Sequence, residues 1–159
     1  MLAAVITVSD RAAAGSRPDA SGPVAAEALL AAGWEVKAVV VADGEAAVGT
    51  AIDAALAAGA RLVVTSGGTG VGPRDRTPEG TAPRLVVPLP GIMEELRRRS
   101  VAAAPGALLS RGLAGVAESA AGRALVVNLP GSPGGVRDGI ELVLAVAAHA
   151  VEQFDGSDH

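Results

Sequence analysis

The sequence predicts an α/β protein built in three layers, with a doubly wound, mostly parallel sheet that carries helices on both faces. Strand-like and helical segments alternate through the first 65 residues, which is the pattern of a doubly wound fold. The strand-like runs are apolar throughout rather than alternating, as expected for strands buried on both faces. A glycine-rich segment follows the third run directly, where α/β sheets bind their ligands.

Four β-branched, apolar runs are the predicted strands of this sheet. The helices between them are indicated by apolar spacing and by boundary residues, with Ser21 and Ser132 as N-caps and Gly33 and Gly59 as stops. The predicted strands cover residues 2–8, 34–41, 61–65 and 124–128, the predicted helices cover residues 21–32, 45–58 and 91–99 and a last helix from Pro133, and residues 108–111 and 113–116 are expected to be short strands or extended segments.

The composition indicates one globular domain, residues 1–154, followed by a short polar tail, residues 155–159. Hydrophobic residues make up 50% of the chain and charged residues 19%. The net charge of -4 argues against nucleic-acid and membrane partners. The absence of cysteine excludes disulfides, thiolate zinc sites and a cysteine nucleophile. We therefore expect a cytoplasmic protein.

The segment after the third strand is the strongest candidate for a ligand site. Four glycines fall within six residues, and an Arg-Asp-Arg cluster and a helix start at Thr77 follow them. A tight turn would need only one or two glycines, whereas several glycines let a ligand approach the main chain closely. The candidate residues of this segment are Gly67, Gly68, Thr69, Gly70, Arg74 and Asp75.

Polar residues follow the other predicted strands as well. Ser9 and Asp10 follow the first strand, and Asp43 follows the second. If the first and third strands are neighbours, as in a flavodoxin-like order, Ser9, Asp10 and the glycine segment would line the crevice at the switch point. The start of the last helix adds main-chain N–H groups that favour an anion.

The glycine segment matches neither of two common nucleotide motifs. It lacks the Gly-Lys-Ser/Thr of a P-loop, and the third glycine of the dinucleotide fingerprint would fall at Pro73. Two carboxylates about 5 Å apart repel by roughly 3 kcal/mol at an effective dielectric near 20, so Asp43 and Asp75 at one edge predict a bound Mg²⁺ beside substrate phosphates. The alternatives are a turn residue at Asp43 and a surface ion pair at Asp75.

Together these segments resemble the MoaB/Mog family of molybdopterin-binding proteins, and the resemblance spans nearly the whole chain. The order and spacing of the segments are more specific than any one of them. Ala42 and Gly44, which flank Asp43, depart from the Pro and the acid that are frequent in the family. The matching segments are residues 7–10, 18–23, 40–43, 67–70, 73–79, 90–91, 100, 109–111 and 128–133.

The resemblance implies Mg²⁺-dependent transfer of AMP from ATP to the terminal phosphate of molybdopterin, with release of pyrophosphate, in molybdenum cofactor biosynthesis. It implies that Asp43 and Asp75 are catalytic and hold the metal, and that Ser100 and Ser110 bind molybdopterin. A homotrimer and hand-over to a molybdate-insertion enzyme are also implied. The other predicted substrate-binding residues are Ser9, Asp10, Gly67, Gly68, Thr69, Gly70, Arg74, Asn128, Pro130, Gly131 and Ser132.

Two alternatives stay open from the sequence. One is a non-catalytic molybdopterin-binding or scaffold protein of the same fold. The other is a generic nucleotide-binding α/β module, which would bind ATP without any preference for molybdopterin.

Overall fold

The computed structural model describes residues 1–156, and its six strands form one sheet in the order β2-β1-β3-β6-β5-β4. The strands are β1 (Leu2–Val8), β2 (Glu35–Val41), β3 (Leu62–Ser66), β4 (Val87–Pro88), β5 (Ala114–Ser119) and β6 (Gly122–Leu129). Strands β1, β2, β3 and β6 are parallel, and β5 is antiparallel to both of its neighbours. The predicted neighbourhood of the first and third strands is confirmed.

Helices cover both faces of the sheet, so the predicted three-layer α/β class is confirmed. They are α1 (Asp10–Ala13), α2 (Gly22–Ala31), α3 (Glu45–Ala57), α4 (Thr77–Thr81), α5 (Pro90–Ser100) and α6 (Pro133–Phe154). Val64 and Val127 are buried on the face covered by α2, α5 and α6, whereas Val63 and Val126 are buried on the face covered by α3. Because successive strand residues point to opposite faces, a strand covered on both sides has to be apolar throughout.

One predicted extended segment is wrong in part. Residues 113–116 fall largely within β5, but Leu108 and Leu109 belong to a 3₁₀ turn, Pro105–Leu109. Proline has no amide hydrogen to give to a sheet and has a fixed φ that suits the first position of a turn. Hydrogen bonds from Ala107 to the carbonyl of Ala104 and from Ser110 to the carbonyl of Ala107 close the turn.

The described residues end just after the last helix. The last helix, α6, ends at Phe154, while residues 157–159 of the predicted tail lie outside the described residues, so the domain boundary stays a prediction. Within residues 1–156, no helix combines the length and the apolar character that crossing a bilayer requires.

A buried amide on β6 joins four elements behind the sheet edge. The Asn128 side chain is fully buried; its Nδ2 donates to the hydroxyls of Thr65 and Thr81 at 3.0 and 2.9 Å. Its Oδ1 accepts the main-chain N–H of Leu113 at 3.0 Å. The predicted contact between this side chain and substrate is therefore corrected: Asn128 has no exposed side-chain surface and holds α4 and the start of β5 against the parallel strands.

Replacing this amide should destabilise the whole fold. In Asn128→Ala, buried hydroxyl and N–H groups lose their partners, and we expect a loss of about 2–4 kcal/mol in the free energy of unfolding. Urea unfolding followed by circular dichroism measures it. The exposed Glu118→Ala on β5 is the control, with a change within about 0.5 kcal/mol, and equal losses in the two variants would contradict the assignment.

Candidate functional site at the carboxyl edge of the sheet

The carboxyl ends of the four parallel strands meet at one edge, as predicted. The strands end level, because Val8 pairs with Val41, and Ser66 pairs with Leu129. The segments that follow them therefore lie side by side. The glycine loop, residues 67–72, runs between the segments that follow β1 and β6.

The first two residues of the glycine loop have to be glycines. Gly67 and Gly68 have φ values of 105° and 64°, in the left-handed range that glycine adopts readily. A Cβ on Gly67 would collide with the carbonyl oxygen of Val8, and a Cβ on Gly68 would collide with the hydroxyl of Thr77. The loop therefore turns away from β3 while it lies directly on the scaffold.

All four carbonyls of residues 67–70 are held by the protein. The hydroxyl and the amide of Thr77 donate to the first two, at 2.8 and 3.0 Å. The amide and the Nε of Arg111 donate to the third and fourth, at 2.7 and 2.8 Å. Within residues 1–156, the amides of residues 68–70 donate no hydrogen bond. Unpaired main-chain N–H groups without competing carbonyls form an anion-binding surface.

Arg111 also fixes the far end of the loop. Its Nη2 donates to the carbonyl of Asp75 at 2.6 Å, and its Nη1 donates to Glu79 Oε1 at 2.7 Å. The hydrogen bond from Arg111 holds the pKa of the Glu79 carboxyl below its ordinary value. The sequence showed Arg111 only within the motif at residues 109–111 and indicated no role for it, because its partners lie far away along the chain.

A cavity of about 240 Å³ lies on one side of the glycine loop, and we name it the Asp19 cavity. Two charged residues in its lining, Arg17 and Asp19, were not singled out as site residues from the sequence. Of the predicted site residues, it is lined by Ser9, Asp43, Gly67, Gly68 and Gly131.

A second cavity, of about 460 Å³, lies on the other side of the loop, and we name it the Ser100 cavity. The Ser100 hydroxyl oxygen is buried and has no hydrogen-bond partner within the described part of the chain. Ser132 caps α6 through its hydroxyl, which accepts the amide of Gly135 at 3.1 Å. Of the predicted site residues, this cavity is lined by Thr69, Gly70, Ser100, Ser110, Pro130 and Ser132.

Asp43 is held in place by Asp10 and Arg74. The amide of Asp10 donates to Asp43 Oδ2 at 2.8 Å, and the amide of Asp43 donates to Asp10 Oδ1 at 3.0 Å. Arg74 pairs with the Asp10 carboxylate through Nε and Nη2, and this hydrogen bonding lowers the pKa of Asp10. Neither Asp10 nor Arg74 lines either cavity. The structure therefore favours a positioning role for these two residues over the predicted substrate contact.

Asp75 lies at the other end of the glycine loop. Its Oδ2 accepts the amide of Gly72 at 2.9 Å. A Cβ on Gly70 or on Gly72 would lie only 2.8 or 2.9 Å from this oxygen, so the loop glycines leave room for the carboxylate. A Cβ on Gly68 would lie 3.4 Å from Asp43 Oδ1. The two predicted metal ligands therefore flank the unpaired amides, with Asp43 near Gly68 and Asp75 near Gly70.

These carboxylates fit a Mg²⁺ site that substrate completes. Asp43 Oδ1 and Asp75 Oδ1 accept no hydrogen bond within residues 1–156. No group of three His, Cys, Asp or Glu side chains in that range could hold a metal. Mg²⁺ is commonly bound by one or two carboxylates together with substrate phosphates, which two acids beside an anion-binding loop would provide.

Ser21 occupies the N-cap position of α2, as predicted, but its side chain makes no capping hydrogen bond, and the Asp19 carboxylate satisfies the start of the helix instead. Its Oδ1 accepts the amides of Ser21 and Gly22 at 3.0 and 2.9 Å, and its Oδ2 accepts the Thr7 hydroxyl at 2.7 Å. The Ser21 hydroxyl instead meets that of Ser66 at 2.9 Å. Burial alone would raise the pKa of Asp19, but the hydrogen bonds outweigh it and lower the pKa below 3.8.

A further cavity, of about 610 Å³, lies away from this site, between β2 and α3. Its lining is mainly Ala and Val with a single charged residue, Lys37. Since a ligand site needs convergent polar groups, we place the functional site at the glycine loop.

The four parallel strands end at an edge where the unpaired amides of residues 68–70 lie between two cavities. This arrangement is that of an α/β domain suited to phosphate-bearing ligands. The chain belongs to the MoaB/Mog molybdopterin-binding family. A family profile described as "Probable molybdopterin binding domain" matches residues 4–149, and the resemblance stated from the sequence is thereby confirmed.

Individual relatives and a solved structure support this family membership. The chain is 39% identical to a molybdenum cofactor biosynthesis bifunctional protein of Synechococcus elongatus, over 100% of this chain but only 49% of that protein. It is 36% identical to a molybdopterin adenylyltransferase of Pyrococcus furiosus, over 93% of this chain and 88% of that enzyme. The structure of the molybdopterin biosynthesis Mog protein from Mycobacterium ulcerans matches with a TM-score of 0.88 and 44% identity, covering 96% of this chain and 97% of that one.

Removing the Arg111 side chain should loosen the glycine loop. In Arg111→Ala, the carbonyls of Gly70 and Asp75 lose their donors, so we expect amide exchange at Gly72 and Thr77 to become about tenfold faster. The pKa of Glu79 should return toward its ordinary value. NMR-detected hydrogen exchange and a carboxyl titration measure the two effects.

The control for this variant is Arg98→Ala on α5, which removes only exposed bonds to Glu95. Arg111→Lys cannot span three acceptors and should resemble the alanine variant. Unchanged loop exchange in Arg111→Ala would contradict the role given to this residue.

The Asp19 carboxylate should stabilise the fold in a pH-dependent way. Because its folded-state pKa is lowered, its contribution is present above 3.8 and is lost as the pH falls through the lowered pKa. We expect Asp19→Ala to cost about 1–2 kcal/mol at neutral pH, after allowance for partial exposure. The gap from the unaltered protein should narrow below pH 3.8. Urea unfolding across this range measures it, and the exposed Glu27→Ala on α2 should show no such gap.

Proposed function

We propose that the protein acts in molybdenum cofactor biosynthesis and transfers AMP from ATP to the terminal phosphate of molybdopterin, releasing pyrophosphate. The proposal extends to this chain the activity named for the Pyrococcus furiosus relative. The observation that carries it is the row of unpaired amides at residues 68–70, which lies between the carboxylates of Asp43 and Asp75 and between two cavities.

The two cavities suit two substrates whose phosphates meet at the loop. We assign ATP to the Asp19 cavity, where Arg17 supplies a cation for its phosphates. Molybdopterin is assigned to the Ser100 cavity, where Ser100 and Ser110 offer hydroxyls and where the volume lies in the range of ligand pockets. The glycine loop separates the cavities, so groups bound at its amides are shared by both substrates.

The chemistry requires charge neutralisation more than proton transfer. An oxygen of the molybdopterin phosphate forms a bond to the α-phosphorus of ATP, while the bond from that phosphorus to the bridging oxygen of pyrophosphate breaks. The negative charge on both sides of the reaction is equal, so no proton has to move. Reactions of this class depend mainly on positioning and electrostatics. The loop amides and Arg17 orient the phosphates, and Asp43 and Asp75 would hold Mg²⁺, which supplies further neutralisation when bound.

The family resemblance carries two further parts of the proposal, a homotrimer and hand-over of the product to a molybdate-insertion enzyme. A cytoplasmic location is proposed from the composition. Self-association has some support in the edge strand β2, where Val39 and Val40 are 42% and 40% exposed. Exposed apolar edge strands favour pairing with another chain.

Replacing either acid should strongly reduce turnover while the fold is retained. We expect Asp75→Asn and Asp43→Asn to lower kcat at least about 100-fold, since charge stabilisation of the transition state is lost. The assay incubates the protein with molybdopterin, ATP and Mg²⁺ and measures adenylylated molybdopterin and pyrophosphate. Chelation of Mg²⁺ should stop the unaltered enzyme as well.

The exposed Glu94→Gln on α5 is the control and should keep full activity. Full activity in Asp75→Asn would overturn the role of the acids. Molybdopterin binding without any adenylylated product would favour the non-catalytic alternative, and ATP binding without preference for molybdopterin would favour the generic nucleotide module.

A further inference from the structure

Asp138 is the one charged side chain among the described residues that line the Ser100 cavity. The remaining lining consists of glycines, small apolar residues, prolines and hydroxyl residues. A single charged group among mostly apolar walls can fix the orientation of a bound ligand, so this carboxylate is a candidate for ligand recognition. The sequence did not single out Asp138.

The first turn of α6 leaves the path from Asp138 to the cavity open. Gly134 and Gly135 lie four and three residues before Asp138, on the same face of the helix. Helical side chains lean toward the N-terminus, so the carboxylate extends over these glycines. A Cβ on Gly134 would meet no atom within 4 Å, whereas a Cβ on Gly135 would lie 2.9 Å from the Ser132 hydroxyl oxygen. The open space above this turn is therefore at Gly134.

The protein itself makes no use of the Asp138 carboxylate. Within residues 1–156 it forms no side-chain hydrogen bond and no ion pair. Ser100, in the lining of the same cavity, has a buried hydroxyl that is also without a partner. Buried polar groups are generally satisfied, so the buried, unpartnered Ser100 hydroxyl indicates a ligand with a matching polar group. The Asp138 carboxylate is exposed and is available to the same ligand.

We propose that Asp138 recognises the 2-amino-4-oxo edge of the pterin ring of the substrate. This inference rests on the proposed function and adds a specificity-determining residue to it. On that edge the 2-amino group and the N3–H lie side by side and both are donors. A carboxylate accepts both at once, in the bidentate arrangement it forms with a guanidinium.

The same carboxylate excludes adenine from the Ser100 cavity. Adenine presents its amino group beside the N1 lone pair, so one carboxylate oxygen would face an acceptor. A site that pairs with one ligand and repels the other discriminates better than attraction alone. Asp138 thereby sorts the two substrates, with the pterin in the Ser100 cavity and the nucleotide in the Asp19 cavity.

The test compares two ring systems on two proteins. The probes are 6-hydroxymethylpterin monophosphate and 6-hydroxymethyllumazine monophosphate, whose ring carries a 2-oxo group in place of the 2-amino group. The unaltered protein should prefer the pterin probe by about tenfold or more in Kd, as expected for losing one charge-assisted hydrogen bond. In Asp138→Asn the preference should vanish or reverse, because an amide pairs with the donor and acceptor of lumazine.

Glu141→Gln, an exposed acid one turn further along α6, is the matched control and should keep the preference of the unaltered protein. In the adenylylation assay, Asp138→Asn should raise the KM for molybdopterin about tenfold and leave the KM for ATP unchanged. If either probe binds too weakly for its Kd to be measured, the change in KM for molybdopterin tests the role of Asp138.

The outcomes separate this inference from the proposed function. Retained preference for pterin in Asp138→Asn, or an unchanged KM for molybdopterin, would overturn the role of Asp138 even if the enzyme is active. Discrimination between the probes without adenylylated product would support Asp138 and overturn the transferase activity.

Discussion

The inward direction of the four carbonyls at residues 67–70 is the constraint on which the site depends. Thr77 and Arg111 satisfy these carbonyls, while the amides of residues 68–70 donate no hydrogen bond within residues 1–156. This arrangement requires Gly67, because only a glycine tolerates both the positive φ and the contact with Val8. The anion-binding surface therefore results from backbone geometry that side chains elsewhere maintain.

The two acids beside the loop are held by different means. Asp43 exchanges hydrogen bonds with Asp10, so its position depends on the pairing of β1 with β2. Asp75 is held within its own loop by the amide of Gly72 and by Arg111. Because β1 lies between β2 and β3, the parallel register brings both carboxylates to the same edge. The proposed metal site thus rests on the sheet order as much as on the acids.

Much of the fold could be predicted because its signals are local. Both-face burial of β3 is visible in the unbroken apolar run that includes Val63 and Val64. The boundaries of the four predicted strands and of the predicted helices differ from the observed ones by at most two residues. The predictions were wrong where a hydrogen-bond partner remote in the chain determines the role of a side chain. Asn128 was assigned to substrate, but its side chain donates to the hydroxyls of Thr65 and Thr81, which lie 63 and 47 residues away along the chain.

By itself the sequence determined the doubly wound class, the glycine loop and the acids that follow the strands, since periodicity, glycine content and strand ends are properties of short segments. Only the tertiary structure decided which polar residues face a cavity and which hold the scaffold. Arg111 reaches the loop from 41 residues away, and Asp138 reaches the Ser100 cavity over the bare first turn of α6. Such roles depend on three-dimensional contacts between residues remote in the chain, which no local pattern records.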